Sequence, residues 1–328
     1  MDRGMRRIVL LLVIISGCVC MAQAQRDAQF SQYHIALGYY NPATAGMTGN
    51  LDVVALYRLQ WLGWNNAPKT LFATAGMPFV FQKKEHGVGV MVLQDNLSSI
   101  KSSMTAGLQY AFLKKTGKGT LRIGVQLGMI SVSDDGSKVI LPVDSLGSPG
   151  GNDEAIPTSK VESKSFDANL GVYYHTDKWY AGMASMHLLE PQFDDDNFSD
   201  YIERTYNFVG GYNIRMKNTL VELQPSVFVQ TNFNMYKINV TTRAVYARKY
   251  SAGLSWRVDE NIANGSVGGM VVMLGATFGK IEGGYAYDVP LSGIGIRNMG
   301  SHELFLKYRM QLNKPKTGQS KHKSVRIL

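Results

Sequence analysis

The stretch Ser301-His-Glu-Leu-Phe-Leu-Lys-Tyr-Arg-Met310 alternates to its end: Leu304, Leu306, Tyr308 and Met310 fall on one side, Glu303, Phe305, Lys307 and Arg309 on the other. Successive side chains of a strand point to opposite faces, so a strand here has one apolar and one charged face. Working back from it, units of about ten alternating residues and a turn recur as far as Leu51. They divide into fourteen strands: approximately 51–60, 69–78, 87–94, 102–113, 119–132, 166–176, 179–187, 204–214, 219–230, 236–246, 250–258, 267–278, 281–289 and 301–311. A soluble sandwich also alternates. Here, however, the polar face holds Arg, Glu and Gln while the apolar face is rich in Tyr, Trp, Leu and Val, the pattern of a barrel with lipid outside and a polar lumen. The expected fold is all-β, a transmembrane antiparallel β-barrel of about fourteen strands.

Composition agrees. The 328 residues carry a formal charge of +9 with 45% hydrophobic content. No stretch after the leader reaches the ~18 apolar residues of a spanning helix. The longest late run, Met270 to Phe278, suits a tilted membrane strand instead. The 34 glycines and 17 tyrosines supply the small and interfacial residues that barrels use.

Four segments follow. Residues 1–24 read as a secretory signal, with Arg3, Arg6 and Arg7 before the apolar Ile8 to Ile15 and Ala22-Gln-Ala24 as cleavage site. The alternative is a lipoprotein box at Ile15-Ser-Gly-Cys18, with Cys18 lipidated. Cleavage after Ala24 removes both cysteines, and with them any disulfide or thiol chemistry. Residues 25–50 form an N-terminal periplasmic or plug segment, 51–311 the outer-membrane barrel, and 312–328 a basic periplasmic tail.

An even strand count puts both ends of the barrel on one side, and in bacterial barrels the side with short turns is the periplasm. Connections after even-numbered strands are brief: Lys114 to Lys118, Asp177-Lys178, Arg215 to Asn218, Ala247 to Lys249 and Gly279-Lys280, with Phe79 to His86 somewhat longer. Those after odd-numbered strands include the two longest, Ser133 to Ser165 and Leu188 to Glu203. Charge segregates likewise. The long loops are acidic, with Asp194, Asp195 and Asp196 in a row, while the turns hold Lys114, Lys115, Lys118, Arg215, Lys217, Arg248 and Lys249. Ordinary solvated turn chemistry accounts for such lysines. Equally, a rim of one sign steers a complementary partner, and these ten residues are the candidate partner contacts.

Several stretches exceed the generic pattern: Asp27-Ala-Gln-Phe-Ser-Gln-Tyr33, Tyr40-Asn-Pro-Ala-Thr-Ala-Gly46, Tyr57-Arg-Leu-Gln-Trp61, Ala67-Pro-Lys-Thr70, Gly87-Val-Gly-Val90 leading to Asp95, Gly284-Tyr-Ala-Tyr-Asp288 and Gly300-Ser-His-Glu303. In this order and spacing they resemble the PorP/SprF family of Bacteroidetes outer-membrane proteins, from about Gln25 to Leu312. Thr44, where an aromatic is expected, and Leu59 depart from the pattern. The resemblance implies a barrel of the type IX secretion and gliding-motility apparatus. It would dock periplasmic ring proteins and a peptidoglycan-binding lipoprotein, or assist export or surface attachment of a secreted protein. It implies no enzyme and no cofactor.

Residue by residue, the motifs also have structural explanations. Gln29, Phe30, Gln32 and Tyr33 are expected in or under the periplasmic mouth as a short plug, against a loose leader. Trp61 and Trp64 serve as interfacial anchors. Arg58, Gln60, Arg243 and Arg257 face the lumen and need acid partners, for which Asp288, Glu222 and Glu303 are candidates. Ser301 and His302 point to opposite faces and cannot pair as nucleophile and base. The acidic run with Asp200 and Glu203 could attract Ca²⁺ but lacks EF-hand spacing, so neither catalysis nor a metal site is expected. A secreted barrel meets no nucleic acid; its other partner is outer-membrane lipid. The competing function is a passive channel for small solutes, and what fills the lumen, Phe228 and Phe305 included, decides between them.

Overall fold

The computed structural model describes residues 27–138, 159–195, 198–217, 220–261, 265–291 and 299–312. The expected signal at 1–24 and nearly all of the tail at 312–328 lie outside them.

Fourteen antiparallel strands close into one ring: β1 (Leu51–Leu59), β2 (Lys69–Phe81), β3 (Lys84–Asn96), β4 (Lys101–Thr116), β5 (Gly119–Asp135), β6 (Lys160–His175), β7 (Trp179–Met186), β8 (Thr205–Tyr212), β9 (Val221–Thr231), β10 (Met235–Tyr246), β11 (Tyr250–Asn261), β12 (Gly265–Phe278), β13 (Ile281–Pro290) and β14 (Ser301–Met310). Each pairs with its sequence neighbour. Closure comes from β1 with β14, Leu51 opposite Met310 and Leu59 opposite His302. Closure removes the unpaired edges that lipid could not hydrate. A two-residue strand, Ile214–Arg215, pairs with β9 outside the ring.

Alternation runs as the sequence requires. Leu304, Leu306 and Tyr308 lie exposed on the outer wall, while Glu303 and Phe305 are buried inside. Leu108, Leu127, Phe166 and Trp256 extend the outer apolar surface around the ring. Such exposure of large apolar groups would be untenable in water and is what a lipid-facing wall looks like.

The ring corrects the expected boundaries at several places. The connection expected over Phe79 to His86 shrinks to Gln82 and Lys83, because β2 and β3 stay paired through Phe81–Lys84. Strands β5 and β6 likewise extend to Asp135 and from Lys160. Ladder hydrogen bonds continue a hairpin past the lipid, where apolar alternation ends and sequence gives no further signal. Loops after odd strands are not uniformly long either: Asn232 to Asn234 suffices between β9 and β10. The loop between β7 and β8 contains a hairpin, Gln192–Asp195 with Phe198–Tyr201, that packs Phe193 and Ile202 against Ile130 and Val132 of β5.

Residues 27–50 thread the lumen. Asp27 lies at the loop end, and the chain descends through a one-turn helix α1 (Leu37–Tyr40) and a 3₁₀ turn (Pro42–Thr44) to the turn end, where β1 begins. The segment therefore traverses the whole barrel, where a short plug of the turn-side mouth was expected.

Candidate functional site

The lumen is filled from the segment outward. Phe30, Tyr33, Tyr39, Tyr40 and Ala43 form a core with Phe72, Phe228 and Phe305 of the wall. Tyr33 stacks on Phe228 at 5.1 Å between centroids, and Phe30 meets Phe72 at 5.6 Å. Burying such an aromatic side chain contributes roughly 1.5–3 kcal/mol. The expectation that Phe228 and Phe305 project inward holds.

Charge fixes the segment at three levels. Toward the loop end, Glu303 accepts the backbone N–H groups of Ser31 at 2.7 Å and Gln32 at 2.8 Å. Arg58 pairs with Asp288 at 3.1 Å and Glu303 at 3.4 Å, and Arg257 pairs with Asp288. Both arginines also donate to the Ser31 hydroxyl, so two cations and two carboxylates close around one serine. Arg58, Arg257, Asp288 and Glu303 were all expected here. Glu222 was too, but it stands near the turn end and pairs with Arg215 at 3.5 Å. Arg243 there donates to Gln224 instead.

The second level went unforeseen. His187, just past β7, donates from Nδ1 to Asp167 at 2.7 Å and from Nε2 to Asp27 at 2.8 Å. Two carboxylates accepting from both ring nitrogens require the imidazolium. Burial opposes that charge, but Asp27 and then Asp167 outweigh it and raise the His187 pKa from 6.5 to about 10. Asp27 is shifted the other way: burial would raise its pKa, yet His187 and the Thr205 hydroxyl bring it below 3.8. Gln230 donates a further hydrogen bond to Asp27.

At the turn end, Arg122 donates to the carbonyls of Ala43 and Ala45. Asn41 donates to the carbonyls of Val172 at 3.1 Å and Met183 at 3.2 Å, while its Oδ1 accepts from Ala43 N–H. Thr44, the departure from the family pattern, is buried and donates to Asn41 O. Beneath the segment a vestibule of about 380 Å³ opens at the turn end, lined among others by His34, Ile35, Leu37, Tyr180 and Arg243.

The candidate partner residues separate as follows. Lys114, Lys115, Lys118, Arg215, Lys217, Arg248 and Lys249 are all exposed at the turn end. Asp194 and Asp195 belong to the loop hairpin at the opposite end, but their side chains, and all of Asp196, lie outside the described residues. Ser301 is buried and accepts from Trp61 N–H, whereas His302 faces out toward the Tyr285 hydroxyl, so the two diverge. Trp61 and Trp64 are exposed beside one another. No group of three or more potential metal ligands occurs among the described residues.

Residues 22–308 match the family model described as type IX secretion system membrane protein PorP/SprF. No curated protein sequence matches. Among solved structures, the Pseudomonas putida toluene transporter TodX is similar at a TM-score of 0.48 and 11% identity, over 87% of this chain and 95% of that one. The Ralstonia pickettii toluene transporter TbuX gives 0.46 and 13%, over 85% and 94%. A Pseudomonas aeruginosa FadL homologue gives 0.45 and 11%, over 82% and 92%.

Proposed function

The chain belongs to the PorP/SprF family of type IX secretion system membrane proteins, and from that premise we propose that it is a sealed, non-enzymatic docking component of the outer membrane. Its turn end faces the periplasm and engages the ring proteins and peptidoglycan-binding lipoprotein of the machinery. Its loop end meets an exported protein, assisting its export or surface attachment.

The observation that supports this most is the occupied lumen. A solute channel needs an aqueous path, and residues 27–47 take that space with aromatic packing and the Ser31–Gln32–Glu303 hydrogen bonds. A barrel closed in this way has its two rims left for work. The turn-end rim is predominantly basic, with its lysines and arginines exposed and acids such as Glu85 and Asp177 in the minority, as a surface that steers an acidic partner requires. The test is charge reversal at Lys115, Lys118, Arg248 and Lys249 together, followed by crosslinking and co-purification from the native envelope. Recovery of periplasmic components should fall, and more steeply with added salt in the wild type. Unchanged recovery with a folded barrel would reduce the rim to solubility chemistry.

A further inference from the structure

The ladder between β3 and β4 ends at His86 opposite Phe112. Beyond it β3 turns back through Gln82 and Lys83 to β2, while β4 continues with β5 to Thr116. The two hairpins part, and between them opens a cleft of about 520 Å³ lined by Lys83, Lys84, Glu85, Phe112, Leu113, Lys114 and Lys115. Alternation places Phe112 and Lys114 on the face of Leu108 and Tyr110, and Lys84 on the face of Val90, all on the outer wall.

An aromatic collar marks the depth. The His86 ring lies 5.2 Å from Phe79, 5.7 Å from Tyr110 and 5.7 Å from Phe112, and Lys84 Nζ stands 5.7 Å above the Phe112 ring. Aromatic collars sit at the headgroup level, where long lysines lay their stems on apolar surface and put their charge in the polar layer. Among the described residues, none of Lys83, Lys84, Lys114 and Lys115 has an ion-pair partner, and Glu85 is the cleft's one acid.

We propose that this cleft holds the headgroup phosphate of an anionic phospholipid from the leaflet at the turn end, with an acyl chain along Phe112 and Tyr110. Four cations around one acid supply the charge complementarity, and continuity with the lipid-facing wall selects a membrane lipid over a free anion. Lys84 and Lys114 are the contacts nearest the lipid. Lys115, on the lumenal side of the same strand end, stays available to the rim.

The experiment reconstitutes the full barrel in nanodiscs of phosphatidylcholine with phosphatidylglycerol, releases it into detergent and counts retained lipids by native mass spectrometry. Each lysine near an anionic headgroup favours it roughly fivefold. Wild type should therefore retain phosphatidylglycerol over phosphatidylcholine, and Lys84→Gln with Lys114→Gln should cut that preference roughly tenfold or more. Lys178→Gln with Lys280→Gln, elsewhere on the turn end, should leave it intact, and inorganic phosphate should not displace the lipid. Equal retention of the two lipids, an unaffected Lys84/Lys114 double variant, or displacement by phosphate would overturn the proposal.

Discussion

Glu303 joins the two parts of the molecule: it belongs to the wall, yet two of its bonds go to backbone N–H groups of the segment inside. Hydrogen bonds to a charged acceptor contribute about 1.5–3 kcal/mol each, and removing one partner of a buried ion pair costs about 3–5 kcal/mol. Glu303→Ala should accordingly lower stability by roughly 3–5 kcal/mol in urea unfolding, and a loss under about 1 kcal/mol would mean that the segment is held elsewhere. A cation whose pKa is raised on folding stabilises fully below its unfolded value and loses that contribution as pH climbs through the folded one. For His187 the window runs from 6.5 up to about 10. Asp27, depressed from 3.8, contributes above that value and loses its share as acid is added. The melting gap between wild type and His187→Gln should be widest between these limits, near pH 4–6.5, and should close toward pH 10; a gap flat across pH 6–10 would contradict the imidazolium. Sequence gave away the first cluster because Arg58, Arg257, Asp288 and Glu303 each obey strict alternation. It hid the second because His187 sits just past a strand at φ +56°, where alternation stops, and its partner Asp27 is 160 residues away. Arg122 obeys the same alternation, but its acceptors are main-chain carbonyls, so no partner side chain could be read for it.

The lumenal segment is held by shape as well as charge. The Pro42–Thr44 turn approaches β5 so closely that a Cβ on Gly124 would overlap the backbone of Ala43, and one on Gly171 of β6 would overlap the Asn41 side chain. Only glycine permits such contact between a wall and what it encloses. Gly124→Val should thus force the turn off the wall while leaving the outward face of β5 unchanged. Deleting residues 25–38 should go further, removing the aromatic anchors Phe30 and Tyr33. Both variants are expected to raise single-channel conductance in planar bilayers or sensitivity to bulky antibiotics, the deletion more. An intact protein with large, steady conductance would end the sealed-barrel proposal. Strand cores were readable in sequence because one face meets lipid. The segment's path was not, because its contacts are glycines, carbonyls and aromatics scattered around the ring, none of which has a periodicity to read.

Taken whole, the barrel is polar along its axis: lysine- and arginine-rich turns at one end, the longer connections and the loop hairpin at the other. The alternation of turn lengths and charge was legible because each connection is contiguous in sequence, whereas the splaying of β3 from β4 emerges only when neighbouring hairpins meet. Orientation in the envelope follows if short turns face the periplasm. Asp177, in the turn after β6, and Asn234, in the loop after β9, are exposed at opposite ends. The other cysteines, Cys18 and Cys20, fall within the expected signal, so a single introduced cysteine can report its own side. In intact cells Asn234→Cys should react with a membrane-impermeant thiol reagent, and Asp177→Cys should react only after the outer membrane is opened. Equal labelling of both would leave the two rims without the sidedness that docking machinery at one and an exported protein at the other requires. Inverted labelling would place the lysine rim outside the cell, where no periplasmic ring could reach it.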